Sequence, residues 1–182
     1  LVFQSLAANL VAGDTNDRDD FFTFSSSSGA LGRLITANDD RAFVFDNCKP
    51  RLSTDGSVLA FCGHAGTTPK NVSILRVDAD HGDWVGTTSA GALSRGACHS
   101  PALSAGGDVV AMICDEDDLV ADDTNGQPDV FVRDLGNGAT KRVSVMDDGT
   151  QSSQASFSVG LSGDGRWVLL QWANVEGATP EA

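Results

Sequence analysis

The chain is poor in the features that mark most functional classes at sight. No apolar run in its 182 residues approaches the ~18–20 residues of a membrane-spanning helix. No basic stretch followed by an apolar one opens the chain, so no secretory leader is visible, and the first residues already read as mid-strand. An apolar period of 3.6 is nowhere sustained, which argues against a helical architecture. Basic residues are scarce: 12 Lys and Arg stand against 25 Asp and Glu, a formal charge of −13. Such a field repels phosphate backbones and excludes nucleic acid as a natural partner, while it suits divalent cations or a basic protein surface. It equally suits a plain soluble, exported surface. Only three histidines occur, His64, His81 and His99, and no two have metal-pair spacing. There is no Gly-x-Ser-x-Gly nucleophile turn and no Gly-rich phosphate loop; Gly136-Asn137-Gly138 reads as a hairpin turn.

What the chain does have is a recurring turn. Leu52-Ser53-Thr54-Asp55-Gly56 precedes Val58-Leu59-Ala60-Phe61; Leu103-Ser104-Ala105-Gly106-Gly107 precedes Val109-Val110-Ala111-Met112; Leu161-Ser162-Gly163-Asp164-Gly165 precedes Trp167-Val168-Leu169-Leu170. The leucines lie 51 and then 58 residues apart. Small, acidic and Gly residues make a tight turn, and four apolar residues are too few for a helix but suit a buried strand. A period near 50 residues built from strand and turn points to a propeller-like array. The repeats run over about 1–57, 58–107 and 108–165, with a partial one at 166–182, and each offers four short strands. Val72–Val77, Val109–Cys114, Val130–Leu135 and Lys141–Val145 are the clearest strands. Phe3 stands where Phe61, Met112 and Leu170 stand, so the chain opens just after such a turn.

Four cysteines permit three pairings. Cys48 and Cys62 flank the first turn, and Cys98 and Cys114 flank the second, each pair centred on the same repeat position. Cross-strand partners on a hairpin are placed in this way, so disulfides Cys48–Cys62 and Cys98–Cys114 are expected, with an oxidising compartment. Four free buried thiols are the alternative. Cys48 precedes its leucine by four residues and Cys98 by five, an offset that calls for a bulge in one hairpin.

Asp118 to Leu135, with Asp-Leu-Val, Asp-Thr-Asn and Asp-Val-Phe-Val-Arg-Asp-Leu, resembles the WD-like, TolB-type β-propeller repeats of exported bacterial proteins. Arg142-Val143-Ser144-Val145 and Leu161 to Arg166 carry the same resemblance. It implies an all-β fold of four-stranded antiparallel blades. It implies no reaction, because propellers host binding, scaffolding and catalysis alike. Three blades and the start of a fourth are fewer than a closed ring of about four to eight blades, so a partial propeller or a section of a larger one is expected. Open blades leave strand edges to be covered.

Asp-Thr-Asn-x-x-x-Asp occurs twice: Asp14, Asn16 and Asp20 match Asp123, Asn125 and Asp129 at a displacement of 109. These six are candidate calcium ligands, since hard cations gather several oxygens in tight polar loops; the distal Glu of the EF-hand pattern is lacking. The competing reading is that they cap backbone N–H groups in Asx-type turns. A zinc site from Cys98, His99 and Cys114 competes with the disulfide. Trp84, Trp167 and Trp172 suit either core packing or a sugar or protein contact. Asn71-Val72-Ser73 fits a glycosylation sequon, and Asp115 to Asp118 reads as a solvated acidic run. The expected function is a non-catalytic protein-interaction or scaffold module, periplasmic or extracellular, acting with a protein partner in a larger assembly. The alternatives are a carbohydrate-binding or accessory part of an exported hydrolase or lyase, and a calcium-stabilised surface or adhesive repeat.

Overall fold

The computed structural model describes residues 1–15, 17, 19–34, 43–45, 48–65, 68–77, 82–88 and 90–173. Every regular element among them is a β-strand. The first sheet is antiparallel and orders β1 (Val2–Ser5), β2 (Asp20–Phe24) and β3 (Leu31–Arg33). In the second, β4 (Phe43–Phe45) and β5 (Arg51–Leu52) share one side of β6 (Val58–Ala65), followed by β7 (Asn71–Arg76) and β8 (Gly82–Trp84). The third runs β9 (Cys98–Leu103), β10 (Val109–Cys114), β11 (Asp129–Asp134) and β12 (Thr140–Arg142) in chain order. The fourth is the hairpin of β13 (Ser156–Leu161) and β14 (Val168–Trp172). The sheets are propeller blades that do not close into a ring.

The repeated turn is built the same way three times. The hydroxyls of Ser53, Ser104 and Ser162 accept the N–H five residues on, from Val58, Val109 and Trp167, at 2.9–3.0 Å. A glycine with positive φ reverses the chain at Gly56, Gly107 and Gly165, a conformation that costs any residue with a Cβ. Asp55 and Asp164 accept from the serine hydroxyl, each at 2.6 Å. Where the middle turn has Gly106 instead, Asp108 takes that bond from Ser104.

Consecutive sheets are stitched at these turns. Thr54 N–H donates to Ala105 O at 2.8 Å, and Ala105 N–H donates to Gly163 O at 2.8 Å. Side chains finish the stacking, because β6 is apolar on both faces. Leu59 and Phe61 point back to Phe21 and Val2 of the first sheet. Val58, Ala60 and Cys62 point forward to Val110, Met112 and Cys114 of the third. A strand covered on both sides reads as an unbroken apolar run, as this one does. The pre-turn strands β5, β9 and β13 contact their neighbours in adjacent sheets, whereas the last strands β8 and β12 make no comparable contact. The sheets therefore fan out from β5, β9 and β13.

Candidate functional site

The inner strands of three successive sheets converge on a cavity of about 310 Å³, lined by Cys48, Lys49, Arg51, Ser100, Pro101, Phe157, Ser158 and Val159. Lys49, Ser100 and Ser158 each stand three residues before the leucine of their own turn, so the fan of sheets brings one repeat position together three times. Two irregularities shape the lining. In β9 the register slips between Ala111 and Ile113, leaving Ser100 and Pro101 opposite Met112 alone. In β13 it slips at Phe157, which has no partner between Ser156 and Ser158. Bulges re-aim side chains, and both do so here toward the same cavity. The β9 bulge is also the extra residue that sets Cys98 one position farther from its leucine than Cys48.

Ser100 has φ 54°, a left-handed backbone that costs a non-glycine roughly 1–2 kcal/mol. Its hydroxyl lies 2.9 Å from His99 Nδ1, and His99 Nε2 lies 3.4 Å from Asp115 Oδ1. The order Asp-His-Ser is that of a hydrolytic relay, but His99 and Asp115 are about one-third and two-fifths exposed. Charge stabilisation of that kind works in a site that excludes water.

The two aspartate loops lie elsewhere, at β2 and β11, and each meets an arginine. Arg33 at the end of β3 approaches Asp14 at 2.9 Å and Asp20 at 3.5 Å. Arg142 at the end of β12 approaches Asp123 at 3.1 Å and donates to the Asp122 carbonyl at 3.0 Å. Arg33 and Arg142 are themselves 109 residues apart, so the clamp repeats with its loop. Asn125 caps the turn: its Oδ1 accepts Gln127 N–H at 2.8 Å, and its amide donates to Asp129 and to Ser152 O. Ser144 donates to Asp129 and accepts Val130 N–H at 3.0 Å. Gln151 donates to Asp123 at 2.9 Å. Burial, then the charge of Asp129, push the Asp123 carboxyl up to about 6, against the pull of Arg142. Each loop thus places an arginine against its carboxylates, and the second adds the side-chain amides of Asn125 and Gln151. Among the described residues no three His, Cys, Asp or Glu side chains are grouped to hold a metal. Asn16, like His81, lies outside the described residues.

Disulfides join Cys48 to Cys62 and Cys98 to Cys114, with Cα separations of 5.5 and 4.1 Å. That occupies both sulfurs of the alternative zinc site.

No family model matches the chain, and neither does any curated protein. Solved structures do. TolB from Acinetobacter baumannii aligns over 92% of this chain and 35% of its own, with TM-score 0.54 and 17% identity. A putative TolB from Agrobacterium tumefaciens aligns over 88% and 53%, with TM-score 0.52 and 19% identity. A prolyl endopeptidase aligns over 85% and 22%, with TM-score 0.56 and 14% identity. The chain has the fold of β-propeller structures such as these. The chain spans about a third to a half of the TolB structures it resembles.

Asn71 is 1% exposed, and its amide spends both groups on Gly86, donating to its carbonyl at 2.8 Å and accepting its N–H at 2.9 Å. The sequon is therefore closed to modification in the folded chain. Three of the four residues in the acidic run have local partners: Asp118 accepts from Ser94 and from Arg95 N–H, Asp117 accepts Gly126 N–H, and Asp115 lies 3.4 Å from His99 Nε2. Asp118 is held below its ordinary range by these bonds, which outweigh its desolvation. Trp84 packs against the cluster of Phe21, Leu59, Phe61 and Leu75. Trp172 is half-buried, while Trp167 precedes β14 and is 72% exposed. The strand of the last hairpin thus begins one residue after Trp167.

Proposed function

We propose that this TolB-type propeller chain is a non-catalytic protein-binding module that takes an extended peptide segment at the cavity between β5, β9 and β13. One observation carries the reading. Among the described residues, no strand pairs with the inner edge of β9 or of β13, and the cavity lies along both strands. Cys98 and Ser156 at the strand starts donate their N–H groups to Lys70 O and Pro128 O, and Pro101 has none; the edge groups between them, beside a side-chain cavity, are what strand addition uses: the backbone supplies affinity, and the cavity selects side chains. The two disulfides support an oxidising, periplasmic or extracellular setting.

The test uses the purified chain and a random heptapeptide display library. Selected peptides should lose at least tenfold in affinity for Ser158→Trp, which fills the cavity. They should bind Lys141→Trp, on the outer strand, as they bind the wild type. Peptides indifferent to Ser158→Trp, or no enrichment at all, would sink the reading. On the same reading Ser100 is a plain hydroxyl, and a fluorophosphonate probe should leave it unlabelled.

A further inference from the structure

We infer that the cavity selects a short acidic peptide segment, with Lys49 and Arg51 as its carboxylate-binding residues. This rests on the binding reading above and specifies its ligand. The chain carries 12 basic residues against 25 acidic ones, yet the cavity lining includes Lys49 and Arg51 and no carboxylate. Neither cation has an ion-pair partner among the described residues. On a surface with twice as many acids as bases, two cations beside one cavity with no acidic partner among the described residues are a local reversal of sign.

The remaining lining completes a carboxylate receptor. Ser100 and Ser158 occupy the same repeat position as Lys49 on the next two inner strands, so one lysine and two serines line the cavity from three sheets, the Ser100 hydroxyl being shared with His99 Nδ1 at 2.9 Å. Lysine and serine O–H donate without geometric demand, and the guanidinium of Arg51 offers a planar fork for a bidentate carboxylate. Ser100 holds a left-handed φ at a bulge, and strain of this sort persists where the surroundings over-determine it. Phe157, displaced at the second bulge and 53% exposed, adds an apolar wall for a neighbouring side chain.

Charge also sets the length of the ligand. Within a Debye length of about 8–10 Å the two cations attract a carboxylate in the cavity, whereas acid groups reaching past it meet the surrounding surface of a chain with net charge −13. The cavity therefore favours one or two carboxylates in a compact motif over a long acidic tail.

Two peptides carrying an uncharged fluorophore, Gly-Phe-Asp-Glu-Gly and its amide counterpart Gly-Phe-Asn-Gln-Gly, would be titrated by anisotropy. Wild type should bind the acidic peptide at least tenfold more tightly than the amide. Lys49→Glu with Arg51→Glu, both at exposed positions, should abolish that preference, and raised salt should shrink it. Equal affinity for the two peptides, or no binding of the acidic one, overturns the inference. If both bind equally and both are lost in Ser158→Trp, the acidic preference fails while the binding cavity stands. If binding survives in Ser158→Trp, the cavity itself is discarded.

Discussion

Arg33 and Arg142 decide how the aspartate loops are neutralised. The Arg142 side chain is 5% exposed and faces Asp123, itself nearly sealed. Removing one partner of a buried pair strands the other charge and typically costs 3–5 kcal/mol. Arg142→Met should therefore lower unfolding stability by roughly 3 kcal/mol in urea titration, while millimolar EDTA should leave the midpoint of the wild type unchanged. A calcium-held loop would give the reverse pattern, a midpoint that falls in chelator through the linkage of binding to folding.

Asp123 adds a pH dependence of unusual sign. Its folded carboxyl titrates at about 6 against 3.8 for the free group, so the folded chain binds the proton more tightly than the unfolded one. Such a group contributes its full stability below about 3.8 and loses it as pH rises through 6. Asp123→Asn cannot titrate. The stability of wild type relative to this variant should fall between pH 4 and pH 6 and then level off. Asp55, Asp148 and Asp164, whose carboxyls are lowered by hydrogen bonds from Ser53, Thr150 and Ser162, titrate alike in both proteins and cancel in the difference. A gap that widens with rising pH would mean that the ionised form of Asp123, paired with Arg142, is the stabilised one.

At the scale of elements, legibility follows how local the determinants are. The turn of serine, acid and glycine is readable because each residue acts within five positions: the serine hydroxyl on the N–H five on, the acid on that hydroxyl, glycine at positive φ. The cysteine pairs are readable because they bracket those turns, and the offset of Cys98 marks the bulge at Ser100 and Pro101. The double-faced β6 is readable as an apolar run, since both faces are covered. The arginine clamps are not legible from the loops alone, because Arg33 and Arg142 reach their loops from a different strand; the displacement of 109 that relates the loops nonetheless relates the arginines too. The inner cavity needed the three-dimensional fan: Lys49, Ser100 and Ser158 share a repeat position, but nothing in the sequence says which strand of a blade lies innermost. Trp167 misleads for a related reason. It adjoins an apolar strand that no sheet covers among the described residues.

Among the described residues the sheets stack so that each makes its main contacts with its neighbours in sequence, and stability should be distributed accordingly. The second and third sheets are packed on both faces, and each holds a disulfide. The first sheet has a neighbour on one side. The last hairpin covers the third sheet but leaves Leu169 77% exposed on its far face, and a two-stranded hairpin contributes little by itself. In a quasi-linear array, stability is a sum of unit and interface terms, so the units with two interfaces should open last. Amide hydrogen exchange should therefore be slowest at Val58–Cys62 and Val110–Cys114, faster in Val2–Ser5 and Asp20–Phe24, and fastest in Val168–Trp172. The disulfides sharpen this contrast, because cross-links of 14- and 16-residue separation restrict the opened chain by about 3 kcal/mol each. Reduction should compress the gradient by lowering protection in the two middle sheets while leaving the hairpin unchanged. Uniform protection across all four sheets would instead make the chain a single cooperative unit, and the turn-to-turn bonds Thr54–Ala105 and Ala105–Gly163 would then outweigh the loss of neighbours at either end.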